Sequence, residues 1–113
     1  SKAQAGESSS SIRDRVVKAR KTQEERFKLH PGIHCNAQMS SRMIHQYAEP
    51  DESGLNMLRT AMTRLNLSAR AYDRILKVAR TIADIEGSEH VLLPHLAEAI
   101  SYRNLDRGDW AER

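Results

Sequence analysis

After nine small, mostly polar residues the chain settles into a helical rhythm of apolar positions. Ile12, Val16, Ala19 and Gln23 recur every three or four residues and predict a helix over 11–27, with Ser11 and Asp14 as a capping pair. Residues 28–38 lose the periodicity and contain Pro31 and Gly32, so they read as a loop. A short helix follows over 40–48, with Met43, Ile44 and Tyr47 inward, and stops before Pro50 because the residue preceding proline avoids helical angles. Asp51 is placed to cap the next helix, whose stripe of Leu55, Leu58, Met62 and Leu65 is widened by Met57 and Ala61. Asn66 and Leu67 make a tight connection. Ser68 then caps the longest unbroken pattern, 69–86, which ends at Gly87. Tyr72, Ile75, Leu76, Ala79, Ile82 and Ala83 give this helix a broad apolar face and a central place in the fold. A last helix over 94–103 opens at Pro94 and buries Leu96, Ala97 and Ile100.

About five helices of unequal length with short connections predict an all-α, irregular or orthogonal bundle. Residues 1–10 read as a flexible lead-in, 11–107 as one helical domain and 108–113 as a frayed tail. Composition agrees: 113 residues with 39% apolar but only 4% aromatic content favour one core built from aliphatic side chains on helices. The lone Cys35 excludes an internal disulfide and makes a reducing cytoplasm the expected compartment. No apolar run approaches the roughly 20 residues that cross a bilayer, and the first residues lack a hydrophobic signal region, so no membrane partner is expected.

A net charge of +3 welcomes phosphates without demanding nucleic acid. Its densest expression is the first helix, where Arg13, Arg15, Lys18, Arg20, Lys21 and Arg26 face only Asp14, Glu24 and Glu25. Solvation of that helix and contact with DNA or a neighbouring subunit are both open readings. Catalytic apparatus is absent: there is no phosphate-binding loop, dinucleotide turn, zinc-protease helix or nucleophile elbow, so the chain alone is not expected to be an enzyme. His30, His34 and Cys35 supply three metal ligands at best in no standard zinc spacing, and no metal is assigned to them.

The richest segment is the 69–86 helix. At about 100° per residue, Arg70, Arg74, Lys77, Thr81 and Asp84 fall on one polar stripe opposite Tyr72 and Ala79. Arg70 lies in the first turn, where its charge adds to the positive end of the helix dipole, a conflict that a bound anion would relieve. An arginine that points into water or pairs with a distant carboxylate fits the same pattern.

The run LSARAYDRILKVARTIADIEGSE, followed by HLAEAISYRNLDR, resembles the C-terminal domain of the magnesium-chelatase-like AAA+ ATPases, the ComM or YifB group among them. SIRDRVVKARKTQEERF and NAQMSSRMI extend the likeness, so that it covers about 11–107. The resemblance implies a lid domain packed against a separate ATP-binding core and neighbouring subunits of a ring, expected to be a hexamer. ATP and magnesium would be bound by the parent protein, and no cofactor by this domain alone. It also implies that Arg70, which opens the matching helix, is a sensor 2 arginine reaching the ATP γ-phosphate, with Arg74 as a supporting cation. Remodelling of branched DNA during natural transformation and magnesium insertion into porphyrins are both attached to the family. Two other readings stay open: an autonomous DNA-binding module working through Arg13, Arg15, Lys18, Arg20 and Lys21, and a passive oligomerisation surface.

Overall fold

The computed structural model describes the backbone of residues 8–111 and the side chains of residues 8–102. Among them are five α-helices, α1 (Ser9–Arg26), α2 (Ser41–Tyr47), α3 (Glu52–Arg64), α4 (Ala69–Glu86) and α5 (Leu93–Ala111), with a single 3-10 turn at Asn36–Gln38. The fold is all-α, as the periodicity predicts. One isolated parallel bridge, Pro50 to Val91, ties the entrance of α3 to the entrance of α5.

Local chemistry sets most boundaries. Ser40, Asp51 and Ser68 each have extended backbone and accept the N–H three residues on, that of Met43 (3.3 Å), Gly54 (2.9 Å) and Ala71 (3.2 Å). α4 ends at Gly87, whose φ of 77° is the left-handed value that lets the Ser88 N–H return to the Ala83 carbonyl at 2.8 Å. Asn66 makes the same reversal after α3 at φ 52°, with the Leu67 N–H on the Met62 carbonyl.

α4 is central, packing against α1, the 3-10 turn, α2 and α5, while α3 packs on α5. Ile75, Leu76, Ala79 and Ala83 meet Leu58, Val91, Leu96 and Ala99 in one buried cluster, which Met39, Met43 and Ile44 close from the α2 side. α3 and α5 approach closely at Gly54, where a methyl group would lie 2.7 Å from Leu96 Cδ1 and 2.8 Å from the capping Asp51 carboxylate.

Four expectations change. α1 starts two residues earlier than predicted, because Ser8, not Ser11, is the cap and accepts the Ser11 N–H at 3.1 Å. Only Ala19 of the expected α1 stripe is buried; Gln23 is half-buried, while Ile12 and Val16 are exposed. In α5, Ala97 is exposed and Ala99 is buried. The cause is His95, which is 4% exposed: its Nδ1 accepts the Leu92 N–H at 2.9 Å and its Nε2 lies 2.9 Å from Glu86 Oε1. Folding that ring inward as the helix cap rotates the buried face so that Leu96 and Ala99 share it with His95. α5 is assigned through Ala111, beyond the expected end at Arg103. Residues 1–7 of the expected lead-in and the last two of the expected tail lie outside the described residues.

Candidate functional site

The polar stripe of α4 divides into two environments. Arg70 in the first turn and Arg74 one turn later are exposed, Lys77 and Thr81 are half-buried, and Asp84 is 5% exposed. Periodicity places all five on one face, but other elements cover only its C-terminal part.

That covered end is an ion cluster. Arg26, in the last turn of α1, donates Nη1 to Asp84 Oδ2 and Nη2 to Asp84 Oδ1, both at 2.8 Å, the two-pronged geometry that makes guanidinium and carboxylate a strong pair. Asn36 of the 3-10 turn donates Nδ2 to Asp84 Oδ2 (2.9 Å) and to Thr81 Oγ1 (3.1 Å), and its Oδ1 accepts from Arg26 at 2.9 Å. The Asn36 N–H is taken by Gln23 Oε1 at 2.9 Å.

Arg80 completes the cluster from within α4. Its Nε donates to Asp84 Oδ1 at 3.1 Å, its Nη1 to the carbonyls of Tyr47 (3.1 Å) and Glu89 (3.0 Å), and its Nη2 to the Ser88 carbonyl at 2.8 Å. One guanidinium thereby holds the end of α2, the loop after α4 and the Asp84 carboxylate. Burial lowers the Arg80 pKa from its ordinary value against the opposing pull of Asp84, and the intrinsic basicity of arginine keeps it charged. A buried carboxylate that accepts from two guanidiniums and an amide is satisfied, so this end of α4 is a structural joint.

The open end has a different chemistry. The first turn of α4 contains no acidic residue, and Ser68 Oγ satisfies only the Ala71 N–H, so Arg70 adds its charge to a helix end that is already positive. Arg70 and Asp84 are about 21 Å apart along the helix at its normal rise. Near the open end Asp73 accepts the Ser41 hydroxyl at 2.7 Å, fastening α2 to α4.

On α1, Arg13, Lys18, Arg20 and Lys21 are exposed and Arg15 is half-buried, so these cations ring the helix instead of converging on one pocket. His30 meets the Tyr47 hydroxyl at 3.0 Å inside an edge-to-face set of Phe27, His30 and Tyr47 rings. His34 and Cys35 are exposed and line, with His30, an open hollow of about 490 Å³ beside Arg20 and Lys28. Among the described residues no three His, Cys, Asp or Glu side chains are grouped to hold a metal ion. Nor is any helix there long and apolar enough to cross a membrane.

Periodicity missed the roles of Arg26, Asn36 and Arg80. Arg26 and Asn36 are remote in sequence from Asp84. Arg80 carried a usable signal: a cation at the edge of an otherwise apolar face, four residues before an acid.

Comparison with known proteins covers nearly all of the same residues. The family model described as "Magnesium chelatase, subunit ChlI C-terminal" matches residues 6–103. The competence protein ComM of Haemophilus influenzae is 41% identical over 102 residues, 90% of this chain and 19% of the relative. YifB of Escherichia coli is 42% identical over 102 residues, again 90% and 19%. A Mycobacterium tuberculosis protein is 37% identical over 98 residues, 87% of this chain and 19% of the relative. The chain therefore spans about a fifth of the length of the curated relatives it matches. With nearly the whole domain matched by one family model, the chain belongs to the magnesium chelatase ChlI C-terminal family.

Proposed function

We propose that this domain is the helical lid of a larger AAA+ ATPase and that Arg70 is its sensor 2 residue, reading the γ-phosphate of ATP held by a neighbouring catalytic core. The observation that carries the reading is the placement of Arg70. It is an exposed cation in the first turn of a helix with no acidic residue there, on a helix whose other end is fixed by Asp84. A γ-phosphate against that turn meets both the guanidinium and the helix dipole, and its loss on hydrolysis removes that attraction. α4 is the lever: what moves Arg70 moves the joint about 21 Å away. Arg74, one turn along, adds positive potential to the same approach.

ATP and magnesium belong to the parent's core, and the lid supplies sensing and subunit contact in a ring. The family supports an ATPase parent, and the likeness to a competence protein supports DNA as what the motor remodels. The test is Arg70→Ala in the longer polypeptide with ATP turnover as readout. A loss of about a hundredfold is expected for one missing charge-stabilising donor, and unchanged turnover refutes the sensor role.

A second reading has its own observation, the exposed Arg13, Lys18, Arg20 and Lys21 of α1. If that helix binds DNA autonomously, the 113-residue chain binds a duplex with an affinity that falls steeply with salt. The lid reading expects little or no binding.

A further inference from the structure

The N-terminal half of α1 presents aliphatic surface at positions where its C-terminal half is packed. Ile12 and Val16 lie on the same face as Ala19 and Phe27, yet they are 37% and 38% exposed against 3% and 2%. Val17, on the adjoining face, is 42% exposed. Exposed Arg13 and Arg20 flank this face, within about 100° of Ile12 round the helix. The Arg26–Asp84 pair and the Gln23–Asn36 bond fix the other half of α1 to α4 and the 3-10 turn, so the direction of the exposed half is set by the body of the domain.

We propose that this face of α1, centred on Ile12 and Val16, is the seat by which the domain rests on the ATP-binding part of its own longer polypeptide. The occupant presents an apolar spot rimmed by carboxylates. The proposal builds on the lid reading given above. Three observations select the occupant. First, the seat continues a face that α1 already buries. Second, it is too small for association between separate molecules, which needs roughly 800 Å² from each partner, whereas a covalently linked partner acts at millimolar effective concentration. Third, the family region is C-terminal by description and covers about a fifth of a matched relative, so the lid reading puts the ATP-binding part ahead of α1. A second copy would bring cation against cation, and a nucleic acid would leave Ile12 and Val16 uncovered.

Amide hydrogen exchange across residues 13–19 tests it, measured in the 113-residue chain and in the longer polypeptide. Each is made as wild type, as Ile12→Glu with Val16→Glu, and as the uncharged Ile12→Ser with Val16→Ser. Expected is exchange about tenfold or more slower in the wild-type longer polypeptide than in the 113-residue chain, with that protection lost in both double variants. The urea midpoint of the 113-residue chain should move little, since the seat is exposed there. Equal exchange in the two wild-type proteins, or protection that survives both double variants, overturns the seat. Protection that appears in the 113-residue chain on concentration alone, or on adding a DNA duplex alone, overturns the occupant. ATP turnover of the same wild-type sample separates the two proposals: without turnover the lid reading falls whatever α1 does, and turnover without α1 protection removes only the seat.

Discussion

The two ends of α4 carry the same kind of polar stripe and are put to opposite uses. At the C-terminal end Asp84 is enclosed by two guanidiniums and an amide, each from a different part of the chain or turn of helix. At the N-terminal end Arg70 stands exposed in a turn with no acidic residue. What separates them is coverage: α1, the 3-10 turn and the Ser88–Glu89 loop close over one end, while Arg70 at the other is exposed. A charge closed in by partners becomes structure, because its removal strands the groups that were neutralising it. A charge left open at the wrong pole of a helix stabilises nothing locally and is available to a ligand.

The comparison can be broken at four points, and the effects should fall in order when read by urea unfolding of the 113-residue chain with the slope unchanged. Asp84→Ala leaves Arg26 and Arg80 facing each other without a counter-ion and should cost about 3–5 kcal/mol. Arg80→Lys keeps the charge but replaces a planar fork with a single ammonium. It cannot reach Asp84 and the Tyr47, Ser88 and Glu89 carbonyls together, so a loss of about 2 kcal/mol is expected from the carbonyls left unpaired. At the open end, Ser68→Ala removes only the cap and should cost about 1 kcal/mol. Arg70→Glu should change sign: placing an anion in the first turn stabilises the isolated domain by about 0.5 kcal/mol. A destabilising Arg70→Glu would mean that Arg70 is already held within the domain, and the contrast between the ends would collapse.

Much of the fold was legible because its punctuation is chemical. Ser68 and Gly87 bracket α4 to the residue, and Ser40, Pro50 and Asp51 bound α2 and open α3. The entry to α1 was harder because residues 8–11 are all serine, so composition offers four equivalent caps and only the backbone turn chooses Ser8. The phase of α5 went astray because the apolar pattern of Leu96, Ala97 and Ile100 gives no weight to His95, which caps its own helix from inside the core. The candidate site was half legible. Arg70 can be picked from its place in the first turn, since that conflict is local. The joint cannot, since a hydrophobic period reports which face is buried and says nothing about what is brought against it, and Arg26 lies 58 residues from Asp84.

That separation also has a kinetic meaning. α4 and α5 are neighbours in sequence and can pair as soon as both exist, whereas docking α1 must close the long intervening loop first. On a ribosome adding roughly 5–20 residues per second, Arg26 emerges about 3–12 s before Asp84 and spends that interval without its counter-ion. The joint is then among the last contacts to form, so weakening it should speed unfolding and leave the folding rate nearly untouched.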